Sequence, residues 1–312
     1  MRDQNTRIFI AGHRGLVGGA IYRNLQKRGF NNLIVRSHNE LDLEDAPKVD
    51  AFFQSEHPES VILAAAKVGG INANSTYPAD FILKNIAIQS AVINAALKYG
   101  VDRFLFLGSS CIYPRECPQP IKESYLLTSP LESTNEPYAI AKIAGLKMCD
   151  AINRQYGKHY LAVMPTNLYG PGDNYNLVTS HVIPAVMRKI HDAKMNNAPS
   201  VMLWGTGNPR REFLYVDDMA DACVYLLTQT DECGLTNIGT GTDITINELA
   251  HAIAKTVGYK GNIEFDHIHP DGTPQKLLDV SKLNDLGWKA KVTLEDGLQR
   301  TYEAFLKGEE RL

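Results

Sequence analysis

"RIFIAGHRGLVGGAIYRNLQ", residues 7–26, decides the fold. A short apolar run leads directly into glycines at positions 12, 15 and 18, and the following apolar residues recur with helical spacing. Glycine lets the backbone turn tightly and approach a phosphate, while the N–H groups at the start of a helix attract the negative charge. A strand, a glycine-rich turn and a helix in this order predict a dinucleotide-binding unit.

The remainder of the chain repeats the alternation of strand and helix. Apolar runs predict strands at 7–12, 32–37, 60–66, 103–109 and 160–167, and helical patterns lie at 16–28, 45–55, 79–99 and 137–157. Alternation at this spacing is typical of a doubly wound parallel sheet, here of Rossmann type, with a smaller α/β substrate domain. We place the first domain at 1–170 plus about 213–240 and the second at 171–212 and 241–312. The segment "REFLYVDDMADACVYLL" predicts a strand and a helix that return to the sheet of the first domain.

Composition favours a small-molecule partner. A formal net charge of -3 gives no electrostatic reason to bind nucleic acid or an anionic membrane. Five widely spaced cysteines without a C-x-x-C pair indicate a reducing cytoplasm, and the N-terminus shows neither a signal peptide nor a membrane span. His267 and His269 lack a third ligand with suitable spacing, so we predict no metal.

The segment from Pro78 to Tyr99 is apolar on nearly every side, which one sheet face cannot cover. We expect a homodimer in which it pairs with the helix that carries Ala139, Ile143, Leu146 and Cys149. The alternative is a thicker core within one chain.

The second predicted strand ends in Arg36, where an NAD-binding fold typically has an acidic residue for the ribose hydroxyl. Together with Arg14 in the glycine turn, this guanidinium suits the 2'-phosphate of NADP. Leu41 is expected to form a wall for the adenine. The alternative is that both arginines are solvated surface charges.

Tyr138 and Lys142 are four residues apart on a predicted helix and therefore share one face. An ammonium group beside a phenol favours the phenolate, so the pair can deliver a proton to a ketone oxygen while hydride reaches its carbon. Ser109, at the end of the fourth strand, could hydrogen-bond the same oxygen.

Taken together, these motifs resemble the extended short-chain dehydrogenase/reductase family, and the resemblance covers essentially the whole chain. The segments "AAAKVGGI", "LGSSCIYP", "NEPYAIAKIAG", "MPTNLYGP", "SHVIPA" and "PDGTP" are similar to those of its GDP-4-keto-6-deoxy-D-mannose 3,5-epimerase/4-reductases. The resemblance implies NADPH-dependent epimerisation at C3 and C5 and reduction at C4, with GDP-L-fucose as the product.

The same resemblance assigns the base and the acid of epimerisation to Cys111 and His181, on opposite faces of the sugar. The sugar carbonyl acidifies the C3 and C5 hydrogens, and Ser109 and Tyr138 would hold the enolate oxygen. Without the family context, Cys111 would be a small buried hydrophobe and His181 a structural residue.

The glycine motif and the resemblance also define the ligand contacts. Contacts to the cofactor are expected at Gly12, His13, Arg14, Gly15, Leu16, Val17, Gly18, Arg36, Leu41, Leu107, Gly108, Lys142, Pro165, Thr166, Asn167, Leu168 and His181. Contacts to the GDP sugar are expected at Asn167, Lys189, Trp204, Arg211 and Asp271. For Trp204, core packing is the alternative. One departure from the family pattern is Lys189, where an arginine is common, because lysine lacks the bidentate fork.

Rival functions remain within and outside this family. A 4,6-dehydratase would show Thr-Asp-Glu where this chain has Ser110, Cys111 and Ile112, which argues against it. A 4-epimerase would retain bound NAD and need no cysteine base. Related GDP-4-keto-6-deoxyheptose or dideoxyhexose enzymes, and a catalytically silent NADP-sensing protein, stay as alternatives.

Overall fold

The computed structural model describes residues 3–177, 179–268 and 271–308. Its centre is a six-stranded parallel sheet with the strand order β2-β1-β3-β4-β5-β9. The strands are β1 (Ile8–Ala11), β2 (Leu33–Ile34), β3 (Ser60–Leu63), β4 (Arg103–Leu107), β5 (His159–Pro165) and β9 (Gly234–Ile238).

Helices cover both faces of this sheet. They include α1 (Leu16–Lys27), α2 (Ala46–Glu56), α4 (Pro78–Lys98), α5 (Glu136–Tyr156) and α7 (Val216–Gln229). One apolar cluster joins the sheet to α2, α4 and α5, and a second joins it to α1 and α7. Every side chain of β1, β3 and β4 is buried, as expected for strands between two helical layers. The predicted doubly wound fold is therefore confirmed.

A second sheet is built around β8. The remaining strands are β6 (Asn167–Tyr169), β7 (Ser200–Trp204), β8 (Arg210–Tyr215), β10 (Asp243–Thr245), β11 (Asn262–Asp266) and β12 (Gln275–Lys276). Strand β8 pairs with β6, β10 and β12, while β7 pairs with β11. The remaining helices are α3 (Ile71–Thr76), α6 (Val182–Met195), α8 (Ile246–Val257), α9 (Ser281–Asp285) and α10 (Leu294–Leu306). A third apolar cluster joins α6, α8 and α10 to β7 and β8.

The sequence prediction for "REFLYVDDMADACVYLL" is half right. Helix α7 packs against α1 beside the main sheet, as expected. The preceding strand, β8, lies in the second sheet, and the strand that returns to the main sheet is β9. Sequence "GLTNI" of β9 carries two polar residues and begins with glycine, so it lacks the apolar signal of a buried strand.

The predicted strand at 32–37 is also too long. Strand β2 pairs with β1 over only Leu33 and Ile34, at the edge of the sheet. Beyond Ile34 the chain leaves the sheet, since Ser37 turns into a short loop closed by Glu40.

Helix α4 is buried more deeply within one chain than the sequence indicated, because it lies between α2 and α5. Ala139, Ile143, Leu146 and Cys149 of α5 are also buried in this single chain, so they cannot form the surface of a dimer contact. Leu83, at 67% exposed, is the large apolar side chain that α4 presents to solvent. Within the described ranges, no helix is both long and apolar enough to cross a membrane.

Candidate active site

The predicted motifs meet at one edge of the main sheet. Parallel strands end at the same edge, and ligands of such sheets bind there. The glycine turn follows β1, residues 64–70 follow β3, the Ser109 loop follows β4, and residues 166–168 follow β5.

Two positions of the glycine turn are packed too closely against backbone to accept a side chain. Gly12 has φ +90°, and a Cβ on it would lie 2.7 Å from the backbone nitrogen of Ala65. A Cβ on Gly18 would lie 2.2 Å from the carbonyl oxygen of Gly12. Gly15 begins α1 as its N-cap without a capping side chain, so the first helical N–H groups have no side-chain acceptor at this cap. This cradle fits the pyrophosphate of a dinucleotide.

Two arginines lie beside this turn, but one of them is already engaged. Arg14 and Arg36 both lower the pKa of the exposed Glu40 carboxyl, after the larger effect of its hydrogen bonds from Ser37. Arg36 contacts the carboxylate of Glu56 and lies over the ring of Phe52. A bound phosphate would therefore compete with Glu56 for this guanidinium.

Two further predicted cofactor contacts, His13 and Leu41, are partly or fully buried. His13 has its Nδ1 buried without a hydrogen-bond partner, and burial lowers the pKa of its imidazole. Leu41 is 6% exposed and packs into the first apolar cluster, so it is part of the core as well as the predicted adenine wall.

Ser109, Cys111, Tyr138 and Lys142 form one cluster. Helix α5 carries Tyr138 and Lys142 on one face, with the Lys142 ammonium 5.8 Å from the centre of the tyrosine ring. The Ser109 hydroxyl accepts from the Cys111 N–H over 3.4 Å. The same hydroxyl lies close enough to the side chains of Tyr138 and Cys111 to lower the pKa of both. The structure thus brings together four of the five predicted catalytic residues.

Burial sets the protonation of this cluster. It raises the pKa of Tyr138 far above the ordinary value, with a further rise from Cys111 and a decrease from Ser109. Burial lowers the pKa of Lys142 to about 8, and its ammonium donates to the Leu107 carbonyl over 2.8 Å. Burial therefore favours the protonated phenol, which can act as an acid. The predicted support of the phenolate by Lys142 stays a prediction.

Cys111 is 7% exposed, and burial raises the pKa of its thiol. The largest opposing effect comes from the positive charge of Lys276, followed by the Ser109 hydrogen bond and the charge of Lys142. Lys276 was not predicted from sequence. Strand β12 pairs with β8 so that Lys276 lies beside Arg211, and no local motif signals this long-range pairing.

His181 is the N-cap residue of α6. Its side chain reaches solvent, but the surrounding protein desolvates the imidazole and lowers its pKa. The preceding backbone lies close to Gly70 after β3, where a Cβ would be 3.8 Å from the Ser180 carbonyl oxygen. Among the described residues, no hydrogen bond or ion pair joins His181 to the Ser109 cluster, so its predicted role stays a prediction.

The predicted sugar-nucleotide residues form a second group. Lys189 places its ammonium 4.9 Å from the Trp204 ring centre. Trp204 is 63% exposed, so core packing does not explain it. Asp271 closes the turn after Trp204 by accepting from the N–H and the hydroxyl of Thr206 over 2.9 and 2.6 Å. Arg211 lies near Asp271, and each shifts the pKa of the other.

Residues 165–168 bridge the two sheets. Pro165 ends β5, whereas Asn167 and Leu168 begin β6. Thr166 and Asn167 donate from their side chains to the Glu212 carbonyl over 3.1 and 2.9 Å. No sequence motif predicts a role for Glu212.

Among the described residues, no group of three or more His, Cys, Asp or Glu side chains could hold a metal ion. His267 follows β11 in a turn and is not part of the strand. His269 lies outside the described residues.

A model of the NAD dependent epimerase/dehydratase family matches residues 8–239. The chain belongs to this family. It is 57% identical over 307 residues to GDP-L-fucose synthase 1 of Arabidopsis thaliana, covering 98% of this chain and 95% of that one. It is 55% identical over 314 residues to GDP-L-fucose synthase of Escherichia coli (strain K12), covering 98% of both.

A solved structure of the same fold is MlghC, a GDP-mannoheptose C4 reductase from Campylobacter jejuni with NADP bound. It is 38% identical, has a TM-score of 0.90, and covers 98% of this chain and 100% of that one. The family resemblance predicted from the sequence motifs is confirmed.

Replacing Lys276 with glutamine should slow alkylation of Cys111 by iodoacetamide at pH 8. Loss of the positive charge raises the thiol pKa further. At a pH below the pKa, each unit of increase in the pKa lowers the fraction of reactive thiolate about tenfold. Peptide mapping by mass spectrometry measures the rate at Cys111. The exposed Cys233 is the internal control, and an unchanged ratio of the two rates would contradict the assigned effect of Lys276.

Proposed function

We propose that this protein converts GDP-4-keto-6-deoxy-D-mannose to GDP-L-fucose, with epimerisation at C3 and C5 and NADPH-dependent reduction at C4. The observation that carries the proposal is the buried cluster of Ser109, Cys111, Tyr138 and Lys142 at the ligand-binding edge of the sheet. Identities of 55% and 57% to GDP-L-fucose synthases over nearly the whole chain support it.

Epimerisation uses the acidity that the C4 carbonyl gives to the hydrogens on C3 and C5. Cys111, as thiolate, removes the proton at each carbon in turn, and the negative charge moves to O4. Hydrogen bonds from Ser109 and Tyr138 hold that oxygen. His181, as imidazolium, returns a proton to the opposite face, which inverts the carbon. Before the second carbon reacts, Cys111 releases its proton to solvent and His181 takes one up.

Reduction uses the same oxygen. When bound, NADPH supplies the hydride that C4 receives. Tyr138 gives its proton to O4, and Ser109 keeps the oxygen in place. Lys142, whose pKa is about 8 from burial, can then return a proton to the phenolate.

NADPH would lie across the glycine cradle, with its nicotinamide toward residues 165–168 and Leu107–Gly108. Arg14 and Arg36 would bind the 2'-phosphate, and MlghC, of the same fold, has NADP bound. The GDP portion would stack on Trp204 beside Lys189, with its diphosphate on Arg211, and Asp271 and Asn167 would complete the contacts. We further assign the cofactor to 1–170 plus about 213–240 and the sugar nucleotide to 171–212 and 241–312, with β8 forming the boundary.

The reaction is tested by incubating the protein with GDP-4-keto-6-deoxy-D-mannose and NADPH in deuterated water. We expect GDP-L-fucose with deuterium at C3 and C5 and one NADPH oxidised per product. Cys111→Ser should lower deuterium exchange about 100-fold and retain some reduction, whereas Tyr138→Phe should suppress reduction most.

Cys233→Ser removes an exposed thiol and is the matched control. Full exchange in the Cys111→Ser variant would contradict the assigned base. The heptose analogue belongs in the same assay because MlghC is a GDP-mannoheptose C4 reductase, and preferential turnover of that sugar would replace the proposed substrate.

Arg36→Asp tests the choice of cofactor. We expect the dissociation constant of NADPH to rise about tenfold or more and that of NADH to change about twofold at most, because only NADPH carries the 2'-phosphate. Fluorescence titration measures both constants. Arg28→Asp is the control, since Arg28 also pairs with a carboxylate, that of Asp221. Equal weakening of NADPH and NADH by Arg36→Asp would contradict the assignment.

A homodimer through the exposed side of α4 and α5 is part of this proposal. Leu83 and Ile140 expose 67% and 41% of their surface on these helices, and both are large apolar side chains. We also place the protein in the cytoplasm, where its five free thiols would stay reduced.

Leu83→Asp tests the dimer. We expect the unchanged protein to sediment as a dimer at micromolar concentration and the variant as a monomer, because the new charge would have to be buried. Leu306→Asp, at a side chain 58% exposed on α10, is the control and should stay dimeric. A dimeric Leu83→Asp variant would exclude this surface.

A further inference from the structure

We infer that Glu212 is a positioning residue that fixes the distance between the nicotinamide-binding segment and the diphosphate-binding strand. This inference rests on the proposed function for the identity of the two ligands. Its structural basis is the place of Glu212 on β8, where side chain and backbone bind three separate segments.

The carboxylate of Glu212 is fully buried, at 0% exposed. Oε1 accepts from the N–H groups of Thr240 and Gly241 over 2.6 and 2.7 Å, and Oε2 accepts from the Leu278 N–H over 3.0 Å. These donors offset part of the cost of burying the carboxylate, although burial still raises its pKa above the ordinary value. They also tie β8 to the turn after β9 and to the segment that follows Lys276.

The backbone of Glu212 makes the third connection. Its carbonyl accepts from the Thr166 hydroxyl and the Asn167 amide, which lie in the proposed nicotinamide-binding segment. The N–H of Thr166 in turn donates to the Ile238 carbonyl at the end of β9 over 3.0 Å. The preceding residue on β8 is Arg211, the proposed diphosphate ligand. One buried residue thus lies between the hydride donor and the anchor of the sugar nucleotide.

Close packing leaves the carboxylate little freedom. A Cβ on Gly239 would lie 2.3 Å from Oε1 of Glu212, so a side chain there would displace the carboxylate. The hydrogen bonds also require two acceptor oxygens. A glutamine at position 212 has only one acceptor oxygen. Its NH2 group, which is a donor, would face a second donor, the N–H of either Leu278 or the Thr240 turn.

Glu212→Gln should therefore uncouple reduction from epimerisation. A misplacement of about 1 Å can slow a reaction about 100-fold, and hydride transfer needs the nicotinamide and the sugar in register. We expect NADPH oxidation to fall about 100-fold and deuterium exchange at C3 and C5 to fall less than about tenfold, because none of the segments that Glu212 binds carries Ser109, Cys111, Tyr138 or His181. The dissociation constant of GDP should rise about tenfold, and that of NADPH about twofold at most, since the glycine cradle is untouched.

Glu248→Gln is the matched control, because Glu248 also accepts from a backbone N–H and a hydroxyl, those of Thr245, but caps α8. Glu248→Gln should lower the urea concentration at the midpoint of unfolding. It should leave unchanged the ratio of the deuterium exchange rate to the NADPH oxidation rate. Gly239→Ala is a second variant that keeps the charge and should shift the ratio in the same direction as Glu212→Gln.

A Glu212→Gln variant that loses stability but keeps the ratio and the GDP affinity of the unchanged protein would overturn the inference. If the unchanged protein does not convert the keto sugar, the proposed function fails by itself. The GDP and NADPH titrations then decide the role of Glu212, since neither requires turnover. An unchanged GDP dissociation constant in that case would also overturn it.

Discussion

The site depends on the parallel register of four strands, β1, β3, β4 and β5, which end at one edge of the sheet. These strands lie between helices on both faces, so apolar side chains dominate until each strand ends. Glycine, serine, cysteine and threonine follow immediately. Residues more than 150 positions apart in sequence, such as Gly12 and Thr166, thereby lie at one edge of the sheet.

Burial shifts the pKa of each titratable group at this edge of the sheet toward its neutral form, which lowers the cost of leaving the group out of water. Desolvation raises the pKa of Cys111 and Tyr138 and lowers that of Lys142 and Lys276. Protons can then move between groups whose ionised forms are all costly. The same environment that lets the cluster remain buried suits it to acid and base work on a sugar carbonyl.

The sequence predicts the main sheet well because its signals are local. The bounds of α1, α2, α4 and α5 lie within one residue of the predicted helices, and the glycine turn lies where the motif places it. Local patterns could not show that β8 belongs to a second sheet or that β9 completes the first, since pairing joins residues distant in sequence. Lys276 and Glu212 were missed for the same reason. Their importance arises from the strands and turns they contact, which no nearby residue indicates.

The exposed Trp204 has an optical consequence. The chain has two tryptophans, and the other, Trp288, is 4% exposed and donates from its indole nitrogen to Asp221 over 2.9 Å. Emission from Trp288 should therefore be a constant background, while emission from Trp204 responds to any purine that stacks on it. The protein carries its own fluorophore at the proposed guanine site, so nucleotide occupancy can be followed without a label.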